Sequence, residues 1–382
     1  MKVPLLDVPK QNGPLEAELT AAFARVLKSG MYIMGPELTA FETEAAKHCG
    51  AKHAIGVSSG TDALLLALMA LGVGAGDEVL VPAFTFFATA GSVHRAGAVP
   101  VWCDSDPHTF NIDLADAATK VSPKTRAIIP VHLFGQACDM DAVMAFAAAN
   151  RLVVIEDTAQ SMGAKWKGRY VGGIGHFGAT SFFPSKNLGG LGDSGLVSVN
   201  DDALAEKARI LRVHGMQPKY YHKYVGANFR MDPLQAALLA VKLPHLAGYN
   251  AGRAKNAARY TEQLTRLPGV ALNKSGAPAD AKLLVPVDFT GEAIWNQFTL
   301  RVPGGRRDDL KAFLTARDIG CDIYYPLTLD AQECFAGIGR GRESLAVAHR
   351  LAVEVLSIPV FPELTEGQQD TVVAAIAAWL AK

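Results

Sequence analysis

Residues 127–160 read AIIPVHLFGQACDMDAVMAFAAANRLVVIEDTAQ. Two short apolar, β-branched runs, Ala127 to Val131 and Leu152 to Glu156, flank a segment from Met140 to Asn150 with the spacing and composition of a helix. Neither run alternates with polar residues. Both faces of each strand must therefore be covered, which is the environment of a mainly parallel sheet packed between helices. The expected fold class is α/β.

Working outward, the same alternation predicts strands at His53–Val57, Glu78–Pro82, Val99–Cys103, Thr180–Phe183 and Leu196–Val199. Helices are predicted at Asp62–Leu71, Phe87–Ala96 and Ala203–Val213, with Gly, Pro, Asp or Asn at the switches. Beyond Met231, PLQAALLAVKLPHLAGYNAGRAKNAARYTEQL repeats apolar residues at three and four, with Pro244 and Gly248 expected to bend or break the helix. Pro268 to Gly291 is less regular. A smaller C-terminal α/β lobe follows: strand QFTLRV, helix Asp308–Arg317, strand Cys321–Tyr325, helix Glu343–Leu356 and helix Glu366–Ala381. The expected division is a large domain over residues 1–245, opened by a helical segment over 1–50, and a small domain over 246–382.

The 382 residues are 49% hydrophobic and 19% charged, and 37 basic residues balance 37 acidic ones. That composition excludes disorder and offers no excess charge to a nucleic acid. The five cysteines contain no CxxC pair and are odd in number, so reduced, buried thiols are expected, with no disulfide framework and no metal cluster. The opening MKVPLLDVPKQNG lacks the apolar core of a secretory signal, and the apolar stretch Ala63–Gly76 is too short to cross a bilayer. A cytoplasmic protein without a membrane partner is expected.

Three segments carry candidate chemistry. In VSSGTDALL a strand ends at Ser58, Ser59 and Gly60 and a helix opens at Thr61; its free N–H groups either seat a phosphate or are only an ordinary Ser/Thr cap. In LVVIEDTAQ a strand ends in Glu156 and Asp157, where a carboxylate either caps a helix or pairs with a ring cation. In ATSFFPSKNLGGLGDSG, Ser181 is followed by Lys186 in a loop whose glycines permit close backbone approach. A lysine amine can form an imine with a carbonyl compound, and pyridoxal 5′-phosphate needs such an amine, a carboxylate for its ring nitrogen and a phosphate seat.

SGMYIMGPEL, SSGTDAL, VPAFTFFATAGSV, EDTAQSMGA, SFFPSKNLGGLGDSG and GANFRMDPLQAALLAVKL, in this order, resemble the DegT/DnrJ/EryC1/StrS aminotransferases, fold-type-I enzymes that use pyridoxal phosphate. The resemblance covers essentially the whole chain. It implies that Lys186 holds the cofactor covalently and moves protons, and that Asp157 keeps the pyridine nitrogen protonated. Gln160 would bond the ring oxygen and Phe86 would stack on the ring, with Phe84 or Phe87 as core aromatics. Gly60, Thr61, Asp62 and Ser181 would bind the phosphate.

The resemblance further implies a homodimer in which Asn228 reaches the neighbouring subunit's site. Arg230 is either a contact for a donor or substrate carboxylate or a structural ion pair with Asp232 or another acid. The polar, aromatic KYYHKYVGAN is either a nucleotide contact or an exposed loop. Tyr324 and Tyr325, in DIYYPLTLDAQECF, resemble the branch that aminates a 3-keto position. Asp330 stands there in place of an expected histidine and Thr328 in place of proline, while Gln332 is kept. The implied reaction moves an amino group from L-glutamate to a nucleotide-linked keto sugar, 3-keto favoured; a 4-keto substrate and a regulatory protein without turnover are the alternatives. A dehydratase branch carries histidine at the lysine position, and Lys186 argues against it.

Overall fold

The computed structural model describes residues 1–382. Seven strands form the large sheet: β1 (His53–Val57), β2 (Glu78–Pro82), β3 (Val99–Cys103), β4 (Thr125–Ile128), β5 (Val153–Asp157), β6 (Phe177–Ser181) and β7 (Gly195–Val199). Their spatial order is β1-β7-β6-β5-β4-β2-β3, and β7 alone runs against the rest. Helices cover it: α1 (Glu16–Ser29), α2 (Pro36–His48), α3 (Gly60–Leu71), α4 (Ala88–Arg95), α5 (Met140–Asn150), α6 (Asp202–Arg212) and α7 (Pro233–Lys242). The apolar runs of β2, β4 and β5 are buried on both faces, as continuous Val/Ile patterns require.

Pro244 ends α7 and lies in a single 3-10 turn, because a proline ring cannot continue the ladder. Gly248 breaks nothing: α8 (Leu246–Leu264) runs through it and leads into the small lobe. That lobe has a sheet of β8 (Val270–Leu272), β9 (Leu283–Val285), β10 (Phe298–Arg301) and β11 (Val355–Ile358), covered by α9 (Arg307–Thr315) and α11 (Glu366–Leu380). α10 (Ala346–Glu354) ends earlier than the sequence suggests, and β11 takes over where pairing with β10 overrides helical preference. The expected strand Cys321–Tyr325 does not form. Only Asp322 bridges Ser357; Tyr325 turns away from the sheet edge to bond the large lobe.

Packing cuts across the division at residue 245. Val3 pairs with Ile319 and is fully buried in the small-lobe core, to which Trp379 and Leu380 also belong. Leu345, Leu351 and Val355 join the core of the large sheet instead. Cys49, Cys103 and Cys138 are buried thiols, whereas Cys321 is half-buried and Cys334 exposed, since the latter sits on a surface turn. No helix is long and apolar enough to cross a membrane.

Candidate active site

The carboxyl ends of β1, β5 and β6 converge with the start of α3. Successive strand residues point to opposite faces, so Glu156 and Asp157 diverge. Glu156 accepts from His132 Nε2 at 3.1 Å and from the amides of Gly172, Ile174 and Gly175 at 2.9, 2.8 and 2.6 Å. Burial alone would push its pKa up, but these donors outweigh it and hold Glu156 below the usual range. It is a structural anion.

Asp157 is the opposite case. Its Oδ2 accepts from Thr89 Oγ1 at 2.9 Å and its Oδ1 from the amide of Ala159 at 3.1 Å. Burial raises its pKa despite those bonds and the charge of Lys186. A buried carboxylate so poorly compensated has room for a cationic partner.

Lys186 supplies an amine close enough to feel the charge of Asp157. Its loop is drawn tight by Lys186 N donating to Phe183 O at 2.8 Å and Gly190 N donating to Phe182 O at 2.8 Å. A Cβ on Gly189 would meet Pro184 O at 2.3 Å, so only glycine closes this turn. Burial lowers the Lys186 pKa from 10.5 to about 8, opposed by the charge of Asp157. The folded value lies below the unfolded one, so this group's contribution to stability is complete above 10.5 and is lost as pH falls through about 8. Modification of Lys186 by an amine reagent in the cofactor-free protein should show its midpoint near pH 8, against 10.5 for a solvated lysine; peptide mass spectrometry measures it.

The phosphate seat is built at the start of α3. Ser59 Oγ caps the amide of Asp62 at 3.1 Å, and the amides of Gly60 and Thr61, in the first turn, have no intrahelical acceptor. Of the expected phosphate contacts, Asp62 thus has its amide already engaged, and its carboxylate accepts from Ser58 Oγ at 2.5 Å. A Cβ on Gly60 would come within 2.7 Å of Ser181 Cβ, which places Ser181 against this helix start.

Phe86 is 54% exposed and meets Tyr325 with ring centroids 5.9 Å apart, while Phe84 is buried and Phe87, still partly open, packs on Phe335. Gln160 Oε1 accepts from Phe134 N at 2.7 Å, which turns its Nε2 to donate to the Tyr325 hydroxyl at 2.9 Å. Residues 228–230 run beside the end of β1, with Ser58 N donating to Phe229 O at 2.9 Å. Asn228 is exposed. Arg230 does not pair with Asp232, and its Nε is buried without a partner. Tyr324 lines a small crevice with Ser185 and Leu5. Asp330 accepts from His349 Nε2 at 3.0 Å, so an imidazole stands beside it after all, supplied by α10.

An amine, a carboxylate, two open helix amides and an exposed ring are the parts pyridoxal phosphate requires, and the residues fit it. Thr89, which orients Asp157, has a single signal in the sequence, a hydroxyl in the first turn of an otherwise apolar helix start.

Residues 14–377 match the model of the DegT/DnrJ/EryC1/StrS aminotransferase family. The chain belongs to this family. The family is pyridoxal-phosphate dependent, and the fold is that of its type I members. Among family members, a "Pleiotropic regulatory protein" of Geobacillus stearothermophilus is 47% identical over 99% of this chain and 98% of its own length. The dTDP-3-amino-3,4,6-trideoxy-alpha-D-glucose transaminase of Streptomyces venezuelae is 41% identical over 99% of this chain and 96% of its own. The crystal structure of S. venezuelae DesV in complex with a ketimine intermediate superposes with a TM-score of 0.92 at 40% identity, covering 100% of this chain and 99% of that one.

Proposed function

We propose that this chain is a cytoplasmic, pyridoxal-phosphate-dependent aminotransferase that moves an amino group from L-glutamate to a nucleotide-linked keto sugar, at the 3-position. The observation that carries the reading is the convergence of the Lys186 loop, buried Asp157 with its Thr89 and Ala159 donors, and the open start of α3 at one end of the sheet. When bound, the cofactor supplies an aldehyde and a ring that withdraws electrons from the carbon bearing the amino group.

Lys186 is the nucleophile, and once displaced it takes a proton from the donor's Cα and returns one at the acceptor carbon. Asp157, oriented by Thr89 and Ala159, holds a proton at the ring nitrogen because the adjacent anion favours the protonated form. The amides of Gly60 and Thr61, with Ser181 Oγ, would hold the phosphate, Phe86 would cover the ring and Gln160 would bond the ring oxygen. The free Nε of Arg230 supports its reading as a carboxylate contact. Exposed Met31, Tyr32, Ile33, Met34 and Phe183 support burial against a second copy, to whose site Asn228 would extend. Position 3 is supported by the named chemistry of the S. venezuelae transaminase and by Tyr324–Tyr325 at the site.

A regulatory protein that binds the cofactor without turnover is the second reading, favoured by the name of the G. stearothermophilus relative. The two separate on incubation with L-glutamate. The enzyme releases one 2-oxoglutarate per site and then needs an acceptor, and a panel of UDP-, dTDP- and GDP-linked 3- and 4-keto sugars identifies it by restoring the original spectrum. A protein that loads cofactor but releases no 2-oxoglutarate refutes glutamate as donor.

A further inference from the structure

One side chain on α8 reaches both loops that leave the candidate cofactor residues. Asn250 Oδ1 accepts from Asn187 Nδ2 at 2.7 Å, and Asn250 Nδ2 donates to Met162 O at 3.2 Å. Asn187 directly follows Lys186; Met162 lies two residues beyond Gln160 in the loop descending from Asp157. The Asn187 amide is used on both sides, since its Nδ2 also donates to Ile294 O at 3.0 Å and its Oδ1 accepts from Asn296 Nδ2 at 2.8 Å. One turn along α8, Arg253 Nη1 donates to Trp295 O at 3.3 Å and Asn296 O at 3.1 Å, fixing the same segment.

A separate feature of the backbone agrees. Gly163 has φ +94°, and a Cβ there would meet Asn250 Nδ2 at 2.6 Å. The loop after Asp157 is therefore seated directly on Asn250, with no space for a side chain. Apolar packing would hold the three elements together as well, but amide bonds also fix distance and direction.

We propose that Asn250 is a positioning residue: by bonding both the residue after Lys186 and the loop after Asp157, it sets where the lysine amine stands relative to the carboxylate. This rests on the reading of Lys186 and Asp157 as the cofactor-holding pair. The test compares wild type, Asn250→Ala, Asn187→Ala and the double variant. Asn256→Ala serves as a control on the same helix, where Asn256 Nδ2 donates to Phe361 O at 2.7 Å in the small lobe.

Two readouts are taken: the pH midpoint of Lys186 modification in cofactor-free protein, and the Kd for pyridoxal phosphate. Asn250→Ala should move the midpoint by about half a pH unit or more and weaken cofactor binding about tenfold. Asn187→Ala should also shift both readouts, and the double variant should fall short of the sum of the two single changes, because the Asn187–Asn250 bond is lost in each while the bonds to Met162, Ile294 and Asn296 are lost in only one. Asn256→Ala should lower Tm and leave both readouts in place. Wild-type values in Asn250→Ala, additive effects in the double variant, or equal shifts in Asn256→Ala overturn the proposal. If Asn250→Ala does not fold, Asn250→Ser, too short to bond both Asn187 and Met162 O, carries the test with the same expected shifts. If wild type takes up no pyridoxal phosphate, the functional reading fails, and the modification profile still decides the positioning role.

Discussion

Lys186→Ala should reduce glutamate-dependent 2-oxoglutarate formation by at least about 10³-fold, since one substitution removes both a nucleophile and a proton carrier. The purified variant should also lose the visible absorbance that survives dialysis of the loaded wild type, while its Tm without cofactor stays level or rises. The sign follows from the poorly solvated amine: a group whose pKa is depressed to about 8 weakens the fold at pH 7, and alanine removes that penalty. Retained turnover in Lys186→Ala would end the assignment of this lysine.

Asp157→Asn should separate activity from stability in the same direction. The amide keeps the shape that Thr89 Oγ1 and Ala159 N bond but cannot hold a proton at a ring nitrogen, so turnover should fall about 10²- to 10⁴-fold. The cofactor-free variant should melt about 1–3 °C higher near neutral pH, because the pKa of Asp157 is raised by burial and its ionised form opposes folding once pH exceeds that range. Below that range the difference should vanish. With its counter-charge gone, Lys186 should titrate lower still. Activity assays and thermal melts across pH check both halves; full activity in Asp157→Asn would remove this carboxylate from the mechanism.

How much of this was legible depends on where the information lies. Strands β1, β2 and β3 were readable to the residue, because each is an apolar run between residues that favour turns. The strand delivering Ser181 was displaced toward Phe183. It ends at Ser181, and the two phenylalanines that look like its continuation part company: Phe182 is buried against Phe41, and Phe183 faces outward. β11 was hidden inside a helical pattern because only its partner β10 makes it a strand. At the site, residue type announced Lys186, Asp157 and the α3 start. The contacts that orient them, Thr89 to Asp157 and Tyr325 to Gln160, join residues 68 and 165 positions apart, and no local spacing encodes them.

The bridge from Val3 to Ile319, and its burial in the core that includes Trp379, bear on how the polypeptide is made. Val3 and its neighbours are synthesised before the whole seven-stranded sheet, yet they share a core with α11, which is synthesised after it. They must wait unpaired while the seven-stranded sheet is synthesised, and the lobe can close only when residues near 380 emerge. A bulky group attached beside Val3 would lie at this late-closing seam, so the yield of folded protein should suffer more from such an attachment when its spacer is short than when it is long.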